Sequence, residues 1–432
     1  MNTSSIDLSC AVTYHLGAFP PKELELSRFF DEILSATDAL SRYDQMLKTL
    51  HNSEILLAPL RSREAVISSR IEGTISTLDE ILRYEAEAEQ KQTTREVRQD
   101  TVETLLYQRT LKAAQSALKD GHPLSASMLR SMHQGLLSFG HGADKTPGQF
   151  KTEQNYIGRR GSRQIDFVPV APEHLQAGLD TLFEYINTSD AKPLIKTAVS
   201  HIEFEALHPF KDGNGRIGRM LIPLLLWQMR QISEPHFYIS HFFEENKDEY
   251  IERMRNVSAH GDWSGWCAFF CRAVSEQARQ NLDIAEKITA LYEDMKNRLP
   301  DLLASKWTLT ALDALFTQPV FKANRFAIGH DIAGQVGVAA VVVGGERVFR
   351  VKQRRQGVVA AAPDVDLFVA VFFGGLLFVQ TLQLAVVAFV QPPCFDLRHK
   401  QLVGFFQNDV AGFNRAGQDG SEGDVELVAF FL

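Results

Sequence analysis

Cysteine is scarce in this chain of 432 residues: there are four, Cys10, Cys267, Cys271 and Cys394. That excludes a small disulfide-stapled framework and fits a reducing compartment, so a cytoplasmic location is the expectation. Cys267 and Cys271 are four apart in WCAFFC, among Trp266, Phe269 and Phe270. With no matching Cys/His pair nearby, they read as small apolar core residues, not metal ligands. An excess of positive charge is also missing. Lys and Arg number 45 against 53 Asp and Glu, for a net charge of −8, which argues against nucleic-acid binding by bulk charge. The opening MNTSSIDLSCAV lacks a basic stretch followed by an apolar run, so no secretory leader is expected. What remains, 45% apolar and 23% charged, is ordinary globular composition and excludes a wholly disordered or collagen-like chain. The length suggests two to four domains at roughly 100–200 residues each.

Helical periodicity dominates from residue 22 to residue 118. ELELSRFFDEILSATDALSRYDQML spaces its apolar residues by three and four. In SREAVISSRIEGTISTLDEILRYEAEAE the pattern breaks at Gly73 and Thr74, predicting two helices that meet there. A further amphipathic helix follows in TREVRQDTVETLLYQRTLKAAQSAL, and Ser125 is placed to cap the next one. Residues 141–173 are rich in Gly and Pro and lose the helical period, although IDFV suits a short strand of a hairpin. Helices resume in EHLQAGLDTLFEYIN and PLIKTAVSHIEFEAL. A loop, HPFKDGNG, then separates these from the apolar helix RIGRMLIPLLLWQMRQ.

Beyond residue 332 the composition changes. Residues 333–432 hold 20 Val and 12 Phe but no Ile, Met, Tyr or Trp, and only two Lys. LFVAVFFGGLLFVQTLQLAVVAFV (367–390) is uncharged and long enough to span a bilayer, but Gln380, Thr381, Gln383 and poor flanking anchors argue against it. The abrupt bias fits a non-native reading frame appended to a truncated protein. Membrane is therefore not an expected partner.

Chemistry concentrates in His208–Arg219, HPFKDGNGRIGR. Gly213, Asn214 and Gly215 form a turn before a helix, where backbone N–H groups and the positive helix end favour an anion. Asp212 is a lone carboxylate beside that nest, suited to Mg²⁺ shared with phosphate oxygens. Arg216 and Arg219 present guanidinium forks near one face. His208 ends the preceding helix and is the natural base. Together these are the parts for group transfer from a nucleoside triphosphate.

HPFKDGNGRIGR matches in full the signature of the Fic family, and the resemblance extends from about residue 20 to about residue 325. It implies an all-α fold: a Fic-type helical core with a short β-hairpin flap, preceded by an N-terminal helical domain. The expected division is 1–120 for that N-terminal domain, 121–290 for the catalytic core, 291–332 for the start of a winged helix and 333–432 for the anomalous tail. The resemblance implies a protein adenylyltransferase, a nucleotidyltransferase that moves AMP from ATP to a Ser, Thr or Tyr hydroxyl of a target protein. Its expected partners are ATP, Mg²⁺, the target, the chain itself through auto-AMPylation, and a second copy in a homodimer. By resemblance, His208 is the general base, Asp212 the metal ligand, and Gly213, Asn214 and Gly215 the nest for the α- and β-phosphates. Asn214 is expected to add a side-chain contact there. Arg216 would hold phosphates, Arg219 the γ-phosphate, and buried Phe210 the loop. Tyr250 matches an aromatic near the nucleotide base.

Upstream, SSRIEG (Ser68 to Gly73) resembles the family's inhibitory pattern, in which a glutamate pairs with the second signature arginine. Here the resemblance implies Glu72 on Arg219, with Ser68 on the same helix face and Gly73 next to it. Phe167, Val168 and Pro169 resemble the flap that holds a target segment by strand addition. WTLTALDALFTQPVF resembles the first helices of a winged helix, but no complete wing is legible after it. Three alternatives stand beside AMP transfer. They are removal of AMP or transfer of another nucleotide by the same site, a DNA-binding regulator acting through 306–320, and a form anchored by 367–390.

Overall fold

The computed structural model describes residues 6–49, 53–78, 80–81, 99–158, 163–303 and 308–317, with short strands at 320–322, 342–344, 347–349 and 368–370. The chain divides into two compact units, Met1–Leu291 and Tyr292–Leu432.

The first unit is built of helices. β1 (Val12–Thr13) and a 3-10 turn (Leu26–Arg28) lead into α1 (Phe30–Thr49) and α2 (Glu54–Ile71). There follow α3 (Gln99–Lys119), α4 (Ala126–Leu136), β2 (Phe167–Val168), α5 (Pro172–Thr188) and α6 (Pro193–Leu207). The remainder is α7 (Asn214–Gln228), α8 (Ser240–Glu245), α9 (Lys247–His260) and α10 (Trp263–Leu303), whose last residues belong to the second unit. Ser125 does cap α4, its hydroxyl accepting from the Met128 N–H at 3.3 Å, a contact worth about 1 kcal/mol. Proline opens both α5 and α6, where its missing N–H costs nothing.

Helices α6 and α7 form the centre. Almost every side chain of both is buried, including Lys196, His201, Glu203, Asn214, Arg216 and Arg219. A helix apolar on all sides is covered on all sides, and α3, α4 and α5 supply the cover. Leu111, Leu129, Leu179, Leu207, Phe210 and Leu221 lie in one hydrophobic cluster, so helices before and after residue 120 share a core. Cys267 and Cys271 are free and buried in α10, as small core residues.

Around the flap the structure goes beyond the expected hairpin. Phe167 pairs antiparallel with Ile157, but the paired strands proper are β1 and β2, which run parallel, Val12 opposite Phe167 and Thr13 opposite Val168. The sequence gives no warning of this partner, because two-residue strands carry no readable alternation.

In the second unit, α11 (Thr308–Thr317) follows α10. β3 (Val320–Lys322) pairs antiparallel with β6 (Phe368–Ala370), and β4 (Val342–Gly344) with β5 (Arg347–Phe349). The rest of the Val/Phe-rich tail, including most of 367–390, lies outside the described residues. Among the described residues no helix is long and apolar enough to cross a membrane.

Candidate active site

The loop between α6 and α7 is closed by its own residues. Asn214 spans it: its Oδ1 accepts from the Phe210 N–H at 2.9 Å and its Nδ2 donates to the Phe210 carbonyl at 2.8 Å. Asn214 is 1% exposed and closes the loop through these two bonds. Phe210 is fully buried and stacks on His133, ring centroids 3.8 Å apart. His133 accepts from the Gly148 N–H through Nδ1 and therefore donates from Nε2 to the Asp212 carbonyl at 3.0 Å. Gly213 has φ +77°, the left-handed region in which a side chain is strained, and it caps α7.

His208 ends α6 in a left-handed conformation, φ 48°, unusual for a residue with a Cβ and common at reactive positions. Its Nδ1 lies 3.3 Å from the Glu205 carbonyl, which only accepts, so Nδ1 carries the proton and Nε2 keeps its lone pair. Burial and then the Lys151 ammonium lower its pKa to about 4. At neutral pH the ring is thus an uncharged base. Lys151 is itself buried, with a pKa lowered to about 8 by burial, and its Nζ donates to the Leu207 carbonyl at 3.0 Å. Asn155 donates to the His208 and Phe210 carbonyls at 3.3 and 2.7 Å. The segment on either side of the imidazole is therefore fixed from outside the loop.

Arg216 has a side chain 4% exposed, yet its Nε and Nη1 have no hydrogen-bond acceptor. The nearest carboxylates are Glu103 at 3.9 Å and Asp212 at 3.7 Å. Buried donors without acceptors are costly unless an anion arrives. Asp212 takes the Gly213 N–H on Oδ1 and stays 43% exposed. Among the described residues no three metal-ligating side chains gather. A metal here would therefore share Asp212 with substrate oxygens, the pattern that suits Mg²⁺, and the residues fit it.

Arg219 is committed elsewhere. Its Nε donates to Ser68 Oγ at 2.8 Å, and its Nη2 to the Ser68 carbonyl at 2.8 Å and to Glu72 Oε1 at 2.7 Å. Burial alone would raise the Glu72 pKa, but Arg219, then Arg216 and His208, hold it below the ordinary carboxylate value. Glu72 lies directly against Gly215: a Cβ there would run into Glu72 Oε1 and stand 3.0 Å from Arg219 Nη1. Glycine at 215 is what lets the carboxylate sit over the first turn of α7, where an anion would otherwise meet free N–H groups. The chain leaves α2 at Glu72 and turns at Gly73, φ +92°.

Beneath Arg219 lies Tyr250, 4% exposed. Its hydroxyl donates to His201 Nε2 at 2.9 Å and its ring stacks on Phe243. Tyr250 is thus packed in the aromatic core below Arg219. Phe167 and Val168 are partly buried and Pro169 is buried, and they stand beside the loop: Gln154 donates to the Pro169 carbonyl at 2.9 Å, and the Val170 N–H to that of Ala206 at 3.4 Å.

Several contributors are not singled out by the sequence. Glu103 accepts from His141 and faces Arg216. Glu64 is buried between Tyr107 and Ser240, which donate to it at 3.0 and 2.5 Å. Glu205, partly buried near Arg219, has a pKa raised to about 8 by desolvation. The available signal was weak: each is a carboxylate on an inward helical position, a place charged residues rarely occupy unless paired.

Residues 30–116 match the Fic/DOC family N-terminal region and residues 123–226 the Fic/DOC family itself. A protein adenylyltransferase fic-1 of Caenorhabditis briggsae is 32% identical over 111 residues, 25% of this chain and 20% of that protein. A protein adenylyltransferase Fic of Nematostella vectensis is 28% identical over 174 residues, 39% of this chain and 37% of that one. The chain thus matches less than two-fifths of the length of either relative. The solved structure of a Fic family protein from Desulfovibrio desulfuricans G20 aligns with a TM-score of 0.51 at 17% identity, covering 78% of this chain and 99% of that one, which shows a shared fold. With an N-terminal region and a core both matched in order along one helical fold, the chain belongs to the Fic/DOC family.

Proposed function

We propose that this protein is a protein adenylyltransferase that transfers AMP from ATP to a hydroxyl side chain and is held in check by Glu72. The observation that carries the reading is the convergence of an uncharged imidazole, a buried guanidinium with two donors lacking a hydrogen-bond acceptor and a helix N-terminus on one short loop. In the reaction, His208 Nε2 takes the proton of the target hydroxyl. The hydroxyl oxygen forms a bond to the α-phosphorus, the bond from that phosphorus to the bridging oxygen breaks, and pyrophosphate leaves. The first-turn N–H groups of α7 and the Arg216 fork hold the phosphate oxygens in line, so that positioning and charge neutralisation supply most of the acceleration. Asp212 would hold Mg²⁺, which when bound adds positive charge against the phosphates. Arg219 belongs on the γ-phosphate. While it is tied to Glu72 and Ser68 it cannot serve there, and the Glu72 carboxylate repels an incoming phosphate.

The test is mass spectrometry of the full chain after incubation with ATP and Mg²⁺, for wild type, Glu72→Gly and His208→Ala. One AMP added to the Glu72 variant and none to the His208 variant is the expected result. A Glu72 variant no more modified than wild type would remove the inhibitory role.

Glu72 also supports a second reading, removal of AMP, because its side chain is 36% exposed and lies over Gly215, where a carboxylate can activate a water. Pre-modified protein that sheds AMP with Glu72 present and keeps it in Glu72→Gly would favour this reading.

A further inference from the structure

Arg216 Nη1 is buried without an acceptor, and the carboxylate of Glu103 stands 3.9 Å from it, beyond hydrogen-bond distance. Both side chains are nearly closed to solvent. A guanidinium and a carboxylate so placed ordinarily draw together into a charge-assisted bond of about 2.8 Å. Here the carboxylate is held by its other oxygen. Glu103 lies on α3, and its Oε1 accepts from the His141 backbone N–H at 2.6 Å and from the His141 ring Nδ1 at 2.9 Å.

The seat for this carboxylate is made by the chain just after α4. Gly140 has φ +90° and lies directly against Glu103: a Cβ there would run into Oε1 and stand 2.6 and 2.8 Å from Cγ and Cδ. The turn then closes on itself, the Ala143 N–H donating to the Gly140 carbonyl at 3.2 Å and the Lys145 N–H to that of Gly142 at 2.9 Å. The end of α4 also borders the anion nest, for Leu136, Leu137 and His133 come within 3.4, 3.6 and 3.7 Å of the place a Cβ would take on Gly213. A buried guanidinium with no counter-charge is costly, and one bonded to a carboxylate has fewer donors left for a ligand. A carboxylate held at 3.9 Å balances the charge and leaves the donors open.

We propose that Glu103 is a positioning residue for Arg216: held back by Gly140 and His141, it balances the buried guanidinium without bonding to it and keeps the fork open for a phosphate group of the nucleoside triphosphate. This rests on the reading of the loop as a nucleoside-triphosphate site. His141 acts as the stay. Without its ring, Oε1 keeps only the backbone donor, and the carboxylate turns onto Nη1 and competes with the phosphate.

The test is isothermal titration of ATP with Mg²⁺ into the full chain, in a His208→Ala background so that binding is read without turnover. His141→Ala is expected to weaken ATP binding roughly tenfold, the contribution of one charge-assisted hydrogen bond taken from the phosphate. Glu103→Gln keeps the shape and an acceptor for His141 but removes the competing charge, and is expected to tighten ATP binding roughly threefold or more. In the double variant the defect of His141→Ala should vanish, because a neutral amide competes poorly for a guanidinium. A misfolded His141→Ala chain would show no such recovery. If Glu103 only anchors the turn, both single variants loosen it, ATP weakens in both, and the double variant is no better than His141→Ala. That pattern, or equal affinity in every chain, would overturn the proposal and leave the AMP-transfer reading standing. ATP that binds none of the chains would remove both, whereas the opposite-signed shifts without any AMP transfer in a His208 chain would remove the transfer reading alone.

Discussion

The two sides of the α7 N-terminus are held in opposite ways. On the floor, the loop 208–214 is tied by bonds between near neighbours, Asn214 to Phe210 and Gly213 to Asp212, and propped by His133, Lys151 and Asn155. On the roof, α2 meets α7 through one arginine, with Ser68 and Glu72 about 150 residues away in sequence. The floor loses its shape only if the core opens. On the roof, freeing Arg219 takes only its three polar contacts, while α2 itself stays seated through buried Leu60, Ala65 and Glu64. Under the proposed AMP-transfer reading, the reacting loop and its restraint are therefore built from different kinds of contact.

Substitutions should separate the two sides. The largest effect is expected on the floor: His208→Ala in a Glu72→Gly background should lower the rate of AMP incorporation by roughly 10²–10⁴-fold, the usual contribution of a general base. A smaller loss would mean that another group takes the proton. Next, Glu72→Gly alone should raise AMP incorporation by roughly 5–150-fold, the range of an ordinary coupling free energy. It should also lower stability by about 1–2 kcal/mol in thermal melts, well under the cost of breaking a fully buried pair, because Glu72 is partly exposed. Asn214→Ala leaves the Phe210 N–H unpartnered, its carbonyl keeping Asn155, and should cost about 1–3 kcal/mol in chemical denaturation, whether or not Glu72 is present. A background-dependent cost would contradict the independence of floor and roof.

Two finer tests concern charge. Lys151 helps hold the His208 pKa near 4, so Lys151→Met should let it rise toward the ordinary value. The free base is lost as pH falls through that pKa, so the acid limb of the rate profile should move to higher pH, with the plateau near pH 8 little changed. The Glu72 carboxylate has a lowered pKa, so its tie to Arg219 is at full strength above the ordinary carboxylate value and weakens only as pH falls through the lowered one. Inhibition should therefore be constant from pH 6 to 8. Ser68→Ala removes one of the three Arg219 contacts, a buried hydrogen bond to a charged group that contributes about 1.5 kcal/mol, and should raise incorporation by up to roughly tenfold, since the Ser68 carbonyl and Glu72 still hold Arg219.

The sequence is most legible where the chemistry is local. His208 to Arg219 is one contiguous stretch, and its residue types state an anion nest, a base and two cations before any fold is known. Helix spans follow the apolar period, and Ser125 announces its cap. Legibility fails where a residue's partner is remote. The sequence singles out Asn214 and Tyr250, but not that Asn214 closes the loop on Phe210 or that Tyr250 stacks on Phe243 and bonds His201. Nothing in Lys151 or Glu103 marks them, because their effect depends on burial and on which charge they face.

By itself, then, the sequence determined the helical class, the reacting loop and the types of group it contains, because periodicity and short-range spacing are written in consecutive residues. The Glu72–Arg219 pair was legible only by resemblance; the tertiary structure alone decided that Ser68 holds Arg219 through both its hydroxyl and its carbonyl, that the His208 imidazole is uncharged, and that residues 7–14 lie on the edge of β2. Each of these depends on distance and dielectric between groups far apart in the chain, and those quantities exist only once the helices have packed.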